Sequence, residues 1–463
     1  MNVKIANRIY IEDPTPEIKE WVKDNLRFPN PDYVKKERMG FWTGRTPKEL
    51  RLYERDGNTW ILPFGVCREI MPMLRGHRVF CDFRQDNVIS YGGESVPLYD
   101  YQKEAVARMV DAKYGILKSK PGSGKTQMGI ALIKLHRRRA LWLCHTADLL
   151  NQSRDRALRY IDQDMVGTIT EGKVNVGVGV TFATVQTMAN LELQQYRDYW
   201  DVVIVDECHR VASSATTFTR YEKVLNHLSA RHKYGLTATP ERSDGLIRAT
   251  FALLGDVAYT VPDEAVADKT MKVKVRKIQT DMELTEDCLN DDGTINYTSL
   301  IGTMATDWDR NKLIAKCIMD CKGHSCLVLS ERLNQLELIR KMLPYDMQEE
   351  SAFINGKMQS KKAKEEREQA LEDMRTGKLK YLFASYSLAK EGLDVPRLDR
   401  LFLASPCKFS AIITQAVGRI QRTAEGKETP VCYDFVDPEI GFCMGAWKKR
   451  CTSYRKMGAE IER

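Results

Sequence analysis

The thirteen residues YGILKSKPGSGKT, from Tyr114 to Thr126, restrict what this chain can fold into more than any other stretch. A short apolar run at 114–117 leads into Lys120-Pro121-Gly122-Ser123-Gly124-Lys125-Thr126, and apolar residues then recur at Ile130, Leu132, Ile133 and Leu135. That order predicts a strand, a glycine-rich loop and a helix. Gly122 and Gly124 let the backbone bend so that successive N–H groups and the positive end of the helix surround a polyphosphate. Lys125 adds a point charge, and Thr126 offers a hydroxyl to Mg²⁺. The segment reads as a nucleoside triphosphate cradle, with Pro121 and Ser123 in its loop. The alternative is an ordinary Gly/Ser turn between strand and helix. The strict pattern opens on glycine, where this chain has Ser119.

A cradle of this kind belongs to a parallel sheet, and the surrounding pattern agrees. From Leu98 the sequence alternates predicted strands (115–117, 140–144, 201–205, 233–236) with helices, which places a first α/β lobe at 97–262. Residues 263–300 are polar, lack a clear period and read as a connection. A second α/β series fills 301–446 without a phosphate loop of its own, and 447–463 reads as a basic tail. Residues 1–96 read as a small α/β accessory domain, either a packing appendage or a contact for the substrate. Within it, 3–11 is an expected strand, and 50–53 and 59–62 are expected to flank a turn at Asp56-Gly57-Asn58. The length of 463 residues suits two or three domains.

Composition removes several classes of protein. No apolar run approaches membrane-spanning length and the N-terminus is polar, so a cytoplasmic chain is expected, in a host cytoplasm if phage-encoded. The formal charge of +8 permits a polyanionic partner without demanding one. The twelve cysteines are scattered, many in apolar runs, and read as buried thiols. Cys317, Cys321, His324 and Cys326 have ligand-like spacing, but two fall on a helical face and one opens a strand, so zinc is disfavoured.

The second chemical signal is Asp201-Val-Val-Ile-Val-Asp206-Glu207-Cys208-His209. A valine-rich buried strand would deliver Asp206 and Glu207 at its carboxyl end, where open α/β sheets bind ligands. Asp206 would hold the metal through water and Glu207 would polarise the attacking water.

With Gly235-Leu-Thr237-Ala238-Thr239-Pro240, the Asp-Glu-Cys-His box resembles the DExH signature of superfamily 2 helicases, and the resemblance continues in order over about 98–445. Gln102 resembles the adenine-contacting glutamine, and Thr184-Val-Gln186 a strand-contacting motif. Ala389-Lys-Glu-Gly392-Leu-Asp394-Val-Pro396 resembles the motif that couples ATP to nucleic acid, and Gln415-Ala-Val-Gly418-Arg419-Ile-Gln-Arg422 the arginine-finger motif. On a helix, Gln415, Arg419 and Arg422 would share one face. His209, Thr237 and Thr239 fall where the family reports nucleotide state to the nucleic-acid side. Arg242-Ser243-Asp244 resembles an Arg-Glu-Asp loop with serine in the middle. His145 replaces a proline in the strand-tracking motif 145–152, and Ser385 replaces a threonine in the second lobe. The chain is most similar to phage branch-migration helicases of the UvsW kind and to XPB-like enzymes.

The resemblance implies two RecA-like lobes, ATP and Mg²⁺ as cofactors, and Lys125, Thr126, Asp206, Glu207, Arg419 and Arg422 as the hydrolytic set. It also implies 3′→5′ tracking. The expected activity is an ATP-dependent DNA helicase or translocase, a monomer, acting on single-stranded, forked or branched DNA. RNA unwinding, or duplex translocation without strand separation, are the alternatives.

Overall fold

The runs VVIVD at 202–206 and CLVLS at 326–330 are buried along their whole length, as strands covered on both faces must be. They stand at the centres of two separate sheets. The computed structural model of the chain describes residues 1–463 apart from 45, 84–87, 239–245, 268–269, 355–360, 387–392, 394, 408–409 and 463. It packs into two compact units: Met1–Lys120 with Gly124–Ala265, and Val266–Arg463 with the loop residues Pro121–Ser123. Among the described residues no helix is long and apolar enough to cross a membrane.

The first unit opens with strands β1 (Asn2–Ile5) and β2 (Arg8–Glu12), helix α1 (Pro16–Asn25), β3 (Arg27–Pro29), α2 (Pro31–Arg38), β4 (Glu49–Arg51), β5 (Glu54–Asp56), β6 (Thr59–Pro63) and β7 (Arg78–Cys81). Five of these strands form a sheet in the order β5-β6-β2-β1-β7, and β3 pairs with β4 apart from it. Helix α1 begins where Thr15 accepts a hydrogen bond from the Ile18 N–H at 3.4 Å and Pro16 takes the first position. The strand expected over 3–11 is interrupted at Ala6-Asn7. There Ala6 N–H bonds to the Arg8 carbonyl at 2.9 Å, and the Asn7 side chain donates to the Asn226 carbonyl at 2.6 Å. Leu50, expected to pair across the Gly57 turn, lies instead in β4; β5 and β6 make that hairpin.

This N-terminal region does not close its core alone. Ile9, Ile11, Trp60 and Leu62 share one apolar cluster with Ala212, Ala249 and Ala252 from much later in the chain. The backbone at Gly65 comes so near the 251–255 backbone that any side chain there would collide with it. Lys233, fully buried, donates from Nζ to the Leu225 carbonyl at 2.8 Å and to the Asn7 carbonyl at 3.3 Å.

The rest of the unit supplies helix α3 (Asp100–Ala112), β8 (Gly115–Lys118), α4 (Lys125–His136), β9 (Ala140–Cys144), α5 (Ala147–Ala157), β10 (Val166–Thr170), β11 (Lys173–Asn175), β12 (Val180–Thr184), β13 (Val202–Asp206), α6 (Ala215–His227), β14 (His232–Thr237), α7 (Ile247–Leu254) and β15 (Val257–Thr260). The sheet order is β11-β10-β12-β9-β13-β14-β8-β15. Every pairing is parallel except that of β11 with β10.

The second unit is a seven-stranded sheet. Its strands are β16 (Lys274–Gln279), β17 (Cys326–Ser330), β18 (Ser351–Ile354), β19 (Tyr381–Ser385), β20 (Arg400–Leu403), β21 (Val431–Val436) and β22 (Glu460–Glu462), in the order β18-β19-β17-β20-β21-β16-β22. Helices α8 (Trp308–Met319), α9 (Ser410–Ile420) and α10 (Gly441–Lys456) belong to the same unit. Two expectations are corrected here. The stretch read as a connection contributes β16, whose sequence KVRKIQ hides a strand behind its charges, and β16 pairs with β21 along its whole length. The stretch read as a basic tail is the end of α10 followed by β22. Trp447, Arg450 and Tyr454 are buried there, and Arg450 donates to both oxygens of Asp434 at 2.8 Å. Tyr454 completes that carboxylate with a 2.6 Å bond. The α/β class, with two RecA-like sheets and a small α/β region before them, is as expected.

Candidate active site at the carboxyl edge of the first sheet

Residues 119–124 join β8 to α4. Gly122 and Gly124 hold φ at +82° and +80°, a backbone conformation that a side chain would strain, and a methyl group on Gly124 would collide with the Gln102 amide. Gln102 is itself fixed. Its Oε1 accepts from the Tyr99 N–H at 2.9 Å, closing the first turn of α3. Ser119, where the strict pattern has glycine, is buried, donates its N–H to the Thr237 carbonyl at 3.0 Å and does not hold a positive φ, so its backbone makes no demand for glycine. Lys125 opens α4 with its side chain buried, and among the described residues its Nζ makes one long hydrogen bond, 3.4 Å to the Ser119 carbonyl. Thr126 follows in the same turn.

Strand β13 ends at Asp206, which pairs with Leu236 of β14, and Leu236 pairs with Leu117 of β8. The acids thus stand two strand spacings, about 10 Å, from the start of the phosphate loop. Asp206 accepts from the Ser153 hydroxyl of α5 at 3.1 Å and from the Glu207 N–H at 3.0 Å. Glu207 turns the chain with φ at +47°, which sends it away from the strand line. His209 Nδ1 lies 3.0 Å from the Thr237 hydroxyl and 3.2 Å from Glu207 Oε2. The second approach is not aligned as a hydrogen bond, and Glu207 Oε2 is buried with no hydrogen-bond partner among the described residues.

Electrostatics separates the two acids. Burial, and then the adjacent Glu207 charge, push the Asp206 carboxyl up to about 6. Burial alone would push Glu207 the same way, but Lys125 and then His209 outweigh it and hold its carboxyl below the usual range. These residues fit a triphosphate and its metal. Left-handed glycines, a helix N-terminus and a buried ammonium with spare donors face the acids, and Glu207 keeps an unmet acceptor.

Further nucleic-acid candidates of this unit lie at the ends of the next two strands, β9 and β12. Gln186 donates to the His145 carbonyl at 2.7 Å, and the Thr184 hydroxyl bonds to Thr187 at 3.0 Å, at the adjoining carboxyl ends of β12 and β9. In the second unit, Ser385 ends β19 opposite Ser330 of β17. Gln415 and Arg419 lie on α9, but that helix stops at Ile420, so Arg422 lies beyond its end and does not continue the helical face. Lys427 Nζ instead bonds to the Arg422 carbonyl at 2.6 Å. Thr239, Arg242, Gly392 and Asp394 lie outside the described residues. Ser153 was not anticipated: it meets Asp206 across two elements, and no local pattern announces it.

Comparison with known families agrees with this geometry. Residues 95–242 match the family described as Type III restriction enzyme, res subunit, and residues 309–424 match the Helicase conserved C-terminal domain. The protein named DNA 3'-5' translocase XPB2 of Sulfurisphaera tokodaii is 26% identical over 71% of this chain and 79% of its own length. The protein named Probable helicase D10 of Escherichia phage T5 is 24% identical over 69% of this chain and 67% of its own. Among solved structures, S. cerevisiae Dbp5 bound to RNA and ADP BeF3 is 14% identical and covers 80% of this chain and 94% of that one at a TM-score of 0.53, a likeness of fold. The chain belongs to the superfamily 2 helicases, a class of nucleic-acid-dependent ATPases.

Proposed function

We propose that the chain is an ATP-driven DNA helicase or translocase that remodels forked or branched DNA, by unwinding or branch migration, in replication, recombination or repair. The carrying observation is the line Glu207, His209, Thr237, Ser119, which joins a water-polarising carboxylate to the phosphate loop through contacts of 3.2, 3.0 and 3.0 Å. Gly122, Gly124, Lys125 and the α4 N-terminus hold the polyphosphate, Pro121 and Ser123 shape the loop, and Gln102 reads the base. Thr126 and Asp206 would hold Mg²⁺, which when bound neutralises charge on the β- and γ-phosphates. Glu207 orients the attacking water and takes its proton. Arg419 and Arg422, with Gln415, supply the positive charge that the transferring phosphoryl group requires.

His209 with Thr237, and Thr239 beyond it, report the state of the nucleotide. Thr184, Gln186 and His145 in one lobe, with Ser385 in the other and Arg242, contact the nucleic acid, and Gly392 and Asp394 belong to the nucleotide site. Contacts of this kind fall on phosphates and carry little sequence preference. The XPB-type relative, named for 3'-5' translocation on DNA, favours DNA as the track.

ATP hydrolysis measured without nucleic acid, with single-stranded DNA, a model fork, a four-way junction and matched RNA, with Glu207→Gln as inactive control, tests this. Forked or four-way DNA is expected to stimulate most. Stimulation by RNA alone would replace DNA by RNA as the track, and hydrolysis indifferent to all of them would remove the motor assignment.

A further inference from the structure

The N-terminal region and the first lobe enclose a groove of about 1060 Å³ whose outer wall is the segment after α2. Three large apolar side chains stand in water there: Met39 is 57% exposed, Phe41 64% and Trp42 87%. The segment is held, since Phe41 N–H bonds to the Lys36 carbonyl at 2.9 Å and Lys36 Nζ to the Thr46 hydroxyl at 2.8 Å. Gly44, at φ +52°, backs one face of the Trp42 indole. A methyl group at that position would sit 2.7 Å from Cζ3, so only glycine leaves the ring where it is. One indole face is thus supported and the ring is otherwise open.

The chemistry around this ring selects its occupant. Residues 35–48 carry five basic residues against one acidic. An open aromatic face inside a basic segment suits a polyanion that also carries flat apolar rings. The inner wall is made by Ala212 and Ser214, a few residues past His209, and by Leu246 on the way into α7. The groove is therefore joined through the backbone to the end of the acid box.

We propose that Trp42, with Phe41 beside it, is a stacking platform for an unpaired nucleobase of single-stranded nucleic acid entering this groove. The proposal rests on the motor reading above and names a place on this chain where the track is held by its bases. Arg38 and Lys48, exposed in the segment, take the phosphates, so the aromatic ring contributes a preference for strands that carry bases.

The test compares the wild-type chain, Trp42→Ala and Trp42→Phe in binding a short thymidine oligomer and an abasic oligomer with the same number of phosphates. The wild type is expected to prefer the thymidine strand. Trp42→Ala is expected to weaken that strand about tenfold and the abasic strand little, so that the preference disappears, and Trp42→Phe to restore most of it. Because Trp42 is so exposed, unchanged thermal unfolding should accompany the loss. Trp42→Ala with unaltered thymidine binding, in a wild type whose hydrolysis responds to DNA, overturns the platform and leaves the motor standing. A change in self-association with strand binding unaltered overturns it in favour of a protein-docking face. A wild type that binds neither oligomer and does not respond to DNA removes both readings.

Discussion

At the carboxyl edge of the first sheet, Lys125 and Asp206 are buried and Glu207 is half-buried, and Lys125 and Glu207 are left with incomplete partners. The ammonium has one long hydrogen bond and Glu207 one unmet oxygen among the described residues. In the second unit, Arg310 and Arg450 are buried as deeply, but each meets an aspartate through two hydrogen bonds, Asp437 at 3.2 and 3.3 Å and Asp434 at 2.8 Å twice. Burial is common to both regions; satisfaction is not. A buried charge that is fully paired pins a fold, whereas one left short of partners is poised for something that binds.

Arg419 could break this division, because the proposed function gives this charge of the second unit a chemical task. Arg419→Ala is expected to lower single-turnover hydrolysis by about 10³–10⁵-fold while nucleotide affinity, measured separately, changes little. Parallel losses of affinity and turnover would return Arg419 to binding alone. Glu207→Gln sharpens the first half of the comparison. It keeps the shape and removes the charge, so turnover should fall about 10²–10⁴-fold with the melting temperature held.

Arg450→Met examines the second half. Removing one member of a buried pair is expected to cost about 3–5 kcal/mol in denaturant unfolding, and the double variant Arg450→Met with Asp434→Leu should recover much of it. Equal instability of the single and double variants would show that the pair is not what matters. Lys233 offers an intermediate case, a buried cation held by two carbonyls. Burial pushes its ammonium down to about 7. Between pH 7 and the ordinary lysine range the unfolded chain keeps a proton that the folded chain releases, so stability should rise with pH across that window, by at most about 1.4 kcal/mol per unit. Below it the penalty is constant. Melts of the wild type and Lys233→Met at paired pH values read this out, and an identical slope in both would remove Lys233 as the cause.

The parts of the site legible in the sequence are those built from neighbours along the chain. The phosphate loop and the Asp206-Glu207 box are each contiguous, and their chemistry demands particular residue types at fixed spacing. The Ser153 bond to Asp206 and the Ser119 bond to Thr237 join residues far apart in the chain and follow only from strand order. Strand β16 escaped notice because Lys274, Arg276 and Lys277 fill three of its six positions, on partly exposed as well as exposed sites, and mask the alternation that marks a half-buried strand. Arg450 and Tyr454 sit in a segment whose basic composition suggests a solvated surface, and only the position of Asp434 on β21 shows why they are inside.

The apolar cluster that closes over Trp60 and Leu62 sets an order of events during synthesis. The first eighty or so residues emerge early, yet Ala249 and Ala252, which complete their core, follow nearly two hundred residues later. At about 5–20 residues per second the interval is on the order of ten to forty seconds. For that time the young chain shows the face it will later hide, and it is protected only by whatever meets it as it leaves the ribosome.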